Sequence, residues 1–173
     1  MDRITQKLLA EFTQEHELGA LPESDAFELF AGWLVTSRYY SETFAPTAIG
    51  VGGGGDSGID TVAVIVNGAL VVDPDDVAEL AEANSQVDAT FVFVQAETSS
   101  SFTTSKIGQF GFGVRDFLSE TPTQVQNEGI QAASELVAAV YERSQYFRRG
   151  NPVCVLRYVT TGRWTNDQNL SAR

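Results

Sequence analysis

The sequence predicts an α/β (α+β) domain of three layers, a small mixed β-sheet flanked by helices. Segments with helically spaced apolar residues alternate with short runs rich in Val, Ile and Phe. The Asn67-Gly68 pair between two such runs marks a hairpin. Helical patterns come before, between and after the strands, so both faces of the sheet are expected to be covered. The 173 residues suit one domain over residues 1–164, with a polar tail, 165–173, read as a truncation point of a longer protein.

In the first helix Ile4, Leu8, Leu9 and Phe12 share a face. Gly19 and the Leu21-Pro22 step end it. A second helix follows, with Pro22 in its first turn and Phe27, Phe30, Ala31, Leu34 and Val35 on its apolar face. Residues 41–58 hold Pro46 and six glycines and read as loop, long enough to suggest a functional role or a short strand near Ala48 and Ile49. Strands follow at Ile59–Val66 and Ala69–Val72. Asp73-Pro74 starts a helix running to about Asn84, with Asp75 and Asp76 at its positive end. Ala89–Gln95 is a strand. A helix spans about Thr104–Ser119 and a longer one about Pro122–Phe147, where Gly150-Asn151-Pro152 stops it; Val153–Thr160 is the last strand.

Composition narrows the function. No apolar run approaches the ~20 residues needed to cross a bilayer, and the charged N-terminal stretch does not read as a secretory signal. A single Cys, Cys154, excludes a disulfide framework and a Cys-rich zinc site. A soluble cytoplasmic protein without membrane partners is expected. The net charge of −12 argues against broad electrostatic binding to nucleic acid. The charge is uneven: residues 1–100 hold three Lys and Arg against seventeen Asp and Glu, a balance of −14, whereas residues 101–173 balance at +2. Arg143, Arg148, Arg149, Arg157, Arg163 and Arg173 confine any polyanion contact to the second part.

The run from Gly50 to Asp60 matches G-x-G-x-x-G through Gly50, Gly52 and Gly55, but a strand follows it where a dinucleotide site requires a helix. No Gly-Lys-Ser/Thr is present, so a phosphate-binding P-loop is excluded. Asp60 enters an apolar strand, which costs free energy unless the carboxylate is paired or metal-bound. A capping Asp at a strand end is the alternative. In Phe91–Glu97, alternation puts Gln95 and Glu97 on one face. If the two strands are neighbours, Asp60, Gln95 and Glu97 meet at one edge, with the glycine loop adjacent. Three oxygen-bearing groups there suit a hard divalent cation.

Several blocks together carry a resemblance. They are Gly54-Gly55-Asp56-Ser57-Gly58-Ile59-Asp60, Phe93-Val94-Gln95-Ala96-Glu97-Thr98-Ser99-Ser100-Ser101-Phe102, Lys106-Ile107 through Phe110 to Val114-Arg115-Asp116-Phe117-Leu118, and Tyr158-Val159-Thr160-Thr161-Gly162. In order and spacing they resemble the PD-(D/E)xK nuclease superfamily, in the variant with Gln in the second motif. Within it they are most similar to the N-terminal nuclease-like domain of abortive-infection phage-resistance (AIPR) proteins. The resemblance covers residues 54–162, and Ala26–Phe30 fits the family's leading helix.

It implies a restriction-endonuclease-like fold and Mg²⁺- or Mn²⁺-dependent cleavage of nucleic acid, DNA being expected, in bacterial anti-phage defence. Asp60 and Gln95 would hold the metal, with Glu28 as a further ligand. Gly55, Gly58, Ser99 and Lys106 would lie along the substrate path. The family has Lys where this chain has Glu97, so the catalytic set Asp60, Gln95, Glu97 is expected to be impaired. Lys106 is either a substitute cation, as in some superfamily members, or a solvated surface lysine.

Two other classes remain open. One is a non-catalytic module that keeps the fold to bind nucleic acid or a phage or defence protein. The other is an oligomerisation scaffold built on the Ala-rich helix Gln131–Tyr141. His16 reads as a solvent-exposed helix residue and Cys154 as a small hydrophobe in a buried strand. Tyr39, Tyr40, Trp33 and Trp164 could stack bases, although core packing is the commoner use of such rings.

Overall fold

The computed structural model describes residues 1–99 and 103–162; Ser100–Phe102, Arg163, Trp164 and the 165–173 tail lie outside them. Its elements are α1 (Arg3–Glu15), α2 (Glu23–Thr36), β1 (Thr61–Val66), β2 (Ala69–Val71), α3 (Pro74–Asn84), β3 (Ala89–Glu97), α4 (Thr104–Phe117), α5 (Glu128–Glu142) and β4 (Val153–Thr160), in the order the sequence predicts. The sheet order is β2-β1-β3-β4, with β1 antiparallel to both neighbours and β3 parallel to β4.

Period-two alternation sorts the two cores. Val62, Val64, Val66, Phe91 and Phe93 pack with α3, α4 and α5. Ala63, Ile65, Val92, Val94, Ala96 and Val155 pack with α1 and α2 on the opposite face. The result is three layers, helix–sheet–helix, and β1 and β3 are the strands buried on both faces. The β1–β2 turn places Asn67 at φ 52° and Gly68 at φ 84°, both left-handed, which is the geometry an Asn-Gly hairpin requires. The Asn67 side chain also donates to Leu80 O and Gln86 O and accepts from Asp88 N, tying the turn to α3.

Five expectations are corrected. The long helix predicted over Pro122–Phe147 is shorter, because the Asp116 carboxylate accepts from Thr123 N and Gln124 N and holds that stretch as a loop. Asn127 then caps α5, and a separate 3-10 turn, Ser144–Tyr146, follows the helix. Pro22 is the N-cap of α2, outside its first turn. No strand forms at Ala48–Ile49; Pro46–Ala48 is a 3-10 turn and the extended contact is a single bridge from Gly50 to Thr61. Leu34, Ile4 and Leu8 are exposed, so the buried stripes of α2 and α1 are narrower than predicted. Cys154 is exposed because β4 is an edge strand. Among the described residues no helix is long and apolar enough to cross a membrane.

Candidate functional site

The antiparallel register pairs Thr61 with Val94, so the next step outward sets Asp60 against Gln95 where β1 and β3 leave the core. Asp60 N donates to Val94 O, and its carboxylate then continues the ladder: Oδ2 accepts from Ala96 N at 2.6 Å. Asp60 is only 5% exposed, and burial pushes its carboxyl up to about 7, against the lowering effect of the Ala96 hydrogen bond. Glu28, Asp56 and Glu97 add repulsion in the same direction.

The second Asp60 oxygen faces α2. A methyl group placed on Gly52 would lie 2.9 Å from Glu28 Oε2 and 3.8 Å from Asp60 Oδ1, so the two carboxylates flank one glycine backbone. Burial, then Asp25 and Asp56, raise the Glu28 carboxyl. A cleft of about 470 Å³ is lined by Asp25, Glu28, Asp56, Asp60 and the glycines 50, 52 and 53. Asp56 is held there by an Asx turn, accepting from Gly58 N at 2.8 Å. Asp56 has no role in the sequence pattern alone, although the Asp56-Ser57-Gly58 spacing carries the turn signal.

Four more of the predicted residues, Gly58, Gln95, Glu97 and Lys106, line a second, smaller recess of about 180 Å³ together with Gln109 and Phe110. Gln95 Oε1 is buried there with no hydrogen-bond partner among the described residues, facing Gly58, whose φ of +72° a side chain would strain. Lys106 Nζ reaches both Glu97 oxygens, so the carboxylate at position 97 is already neutralised by a lysine from the first turn of α4. The chain thus brings Asp60, Gln95 and Glu97 to one end of the sheet but splits them between two recesses.

No protein-family model, curated protein or solved structure matches this chain. The site is therefore read from its own chemistry.

The loop carrying these groups is clamped in place. Gly113 on α4 meets Ser57 O so closely that a methyl group there would sit 2.1 Å from it. Gly55, at φ +81°, turns its carbonyl to Asn127 N at the start of α5. Gly55 is thus placed against α5, away from Gln95. The Ser99 carbonyl accepts from Thr160 Oγ1 at 2.6 Å, which ties the end of β3 to β4. Glycine density here serves close approach and left-handed turns, and the segment is not a free linker.

One side reading changes. His16 is half-buried at the end of α1, its ring tilted against Phe12 at 4.6 Å and edge-on to Trp33 at 5.7 Å, and is not a solvated helix residue. Trp33, partly buried, packs on Phe12 in the same aromatic group, in keeping with the packing use the sequence favours.

The donors present are hard oxygens. Among the described residues no group of three His, Cys, Asp or Glu side chains is arranged to hold a metal ion. That limit does not conflict with Mg²⁺, which is commonly bound through one or two carboxylates while keeping several waters. Asp60 Oδ1 and Glu28 Oε2 both lie beside the Gly52 backbone, in a cleft whose anions disfavour one another, and their donor type suits such an ion.

Proposed function

We propose that this chain is a metal-dependent nucleic-acid hydrolase domain of the PD-(D/E)xK kind, for DNA in anti-phage defence, with its chemistry held down at position 97. The observation that carries the reading is Asp60: a buried carboxylate laid across the ends of β1 and β3, one oxygen on Ala96 N and the other toward Glu28. A buried anion among anions is costly to keep without a cation. Asp60 and Glu28 would hold Mg²⁺ or Mn²⁺, while Gln95 Oε1, buried and without a hydrogen-bond partner among the described residues, lies in the neighbouring recess. When bound, such an ion supplies Lewis-acid stabilisation to a phosphoryl oxygen and lowers the pKa of a water. The chain's own part is to fix those oxygens on two paired strands and to line the recess by which a phosphate approaches.

Position 97 lacks the positive charge this chemistry uses. Loss of a preorganised charge costs about 10²–10³ in rate, and Glu97 adds an anion that Lys106 then consumes. That pairing favours the second reading, a non-catalytic module that keeps the fold for binding.

Calorimetric titration with Mg²⁺ and Mn²⁺, comparing the chain with Asp60→Asn, separates these from a scaffold: binding lost in the variant supports a metal site, and no binding by either protein overturns it. Cleavage of plasmid and single-stranded DNA by Glu97→Lys, absent in Glu97→Lys/Asp60→Asn, supports the hydrolase reading. Metal binding without cleavage in any variant supports the binding module.

A further inference from the structure

The Glu97–Lys106 pair joins groups of unequal mobility. Glu97 ends β3 and its backbone is pinned on both sides. Ala96 N is held by Asp60, Glu97 O accepts from Thr161 N at 3.3 Å, and Thr98 O accepts from Thr161 Oγ1 at 2.9 Å. Its side chain is only 18% exposed. Lys106 stands in the first turn of α4 with 48% of its side chain exposed, on a long flexible stem. The carboxylate is a fixed post and the ammonium is the arm that can leave it.

The pair also sits at a defined place, in the recess with Gly58, Gln95, Gln109 and Phe110, next to the cleft of Asp60 and Glu28. α4 carries no acidic residue in its first turn and the Thr103 side chain makes no capping bond among the described residues, so Lys106 and the helix end both favour an anion there. A carboxylate presents two oxygens and one negative charge to an ammonium, as a phosphodiester does.

We propose that Glu97 is a built-in competitor for Lys106: an autoinhibitory contact that keeps the lysine from the oxyanion of an incoming nucleic-acid strand. This deepens the function proposed above and rests on that reading for its ligand class. A strand engages the recess by drawing Lys106 off Glu97, while Glu97 stays where β3 and β4 fix it. No covalent step is involved.

The test is made without metal, in EDTA at low salt, so it is independent of Asp60 and of the metal titration. Binding of a fluorescent 12-nucleotide single-stranded DNA is followed by anisotropy for the chain, Glu97→Gln, Lys106→Gln and the double variant. Glu97→Gln is expected to tighten binding by about two- to fivefold, the scale of opening a half-exposed ion pair. Lys106→Gln alone is expected to weaken binding, because it removes the cation and leaves the Glu97 carboxylate unpaired beside the strand, and to cancel the gain when combined with Glu97→Gln. Equal binding by Glu97→Gln and the parent overturns the proposal, as does a gain that survives loss of Lys106. A second readout uses lysines methylated with ¹³C. The Lys106 signal is expected to move in the parent when Glu97 is changed to Gln, and then to respond to the oligonucleotide; a signal indifferent to position 97 overturns the contact itself. Failure of metal binding with success here would reject the hydrolase and keep the anion subsite.

Discussion

Replacing Asp60 by Asn removes a carboxylate whose ionisation the fold opposes, and the effect has a definite sign and pH window. The unfolded chain releases this proton near 3.8, the folded chain near 7, with burial the main cause. Between those values the native state binds more protons, so stability falls as pH rises, and the full cost is present above about pH 7. The gap corresponds to about 4 kcal/mol. Asn keeps an oxygen to accept from Ala96 N, so the ladder contact survives the change. Urea unfolding of both proteins at intervals from pH 4 to pH 8 is the assay. The two are expected to be similar near pH 4, with the variant more stable by up to about 4 kcal/mol at pH 8. Asp116 does not mask this, because its hydrogen bonds lower its pKa and move its transition below the window. Adding Mg²⁺ at pH 8 should recover stability in the parent and not in the variant. A variant equal to or weaker than the parent at pH 8 refutes the account of Asp60 as a buried, disfavoured anion.

Gly113→Ala should destabilise by about 1–3 kcal/mol, since its methyl would press on Ser57 O, and should weaken Mg²⁺ binding by shifting Asp56 and Gly58; a thermal melt and a titration read both. Gly32→Ala places a methyl 2.1 Å from the buried Thr61 Oγ1 and should lower the melting temperature despite better helix propensity, with Thr61→Ala restoring much of the loss. Asn127→Ala removes both the cap to Ile130 N and the bond to Val51 O, and should cost about 1–2 kcal/mol in chemical denaturation.

Local chemistry made much of the fold legible. The bounds of α3 follow from Asp73 accepting from Asp75 N ahead of Pro74, and the hairpin from Asn67-Gly68. β4 is found where its Val-rich run stands after a glycine-proline stop. The meeting of Asp60 with Gln95 was legible too, because both end apolar strands whose alternation points one way. What escaped depends on partners distant in sequence. The exposure of Cys154 follows from the sheet order, which no local pattern encodes. The Asp116 side chain shortens α5 from a neighbouring helix. The division of the acidic residues between two recesses depends on how Gly52 brings Asp60 toward α2, and the Glu97–Lys106 pair depends on where α4 docks.

The pinning of Glu97 by Thr161 also has a consequence in time. The β1–β2 hairpin and each helix close over short loops and can form as soon as they are synthesised. The Asp60–Ala96 contact must wait for β3, 36 residues on, and the Thr98–Thr161 bond for 63 more. A chain halted by premature termination within α5 would hold the hairpin and the leading helices yet lack the strand that steadies position 97. The end of the sheet where phosphate chemistry would occur is thus the last part to be assembled. Position 97 therefore gains its final backbone support only when the last strand, Val153–Thr160, has joined the sheet.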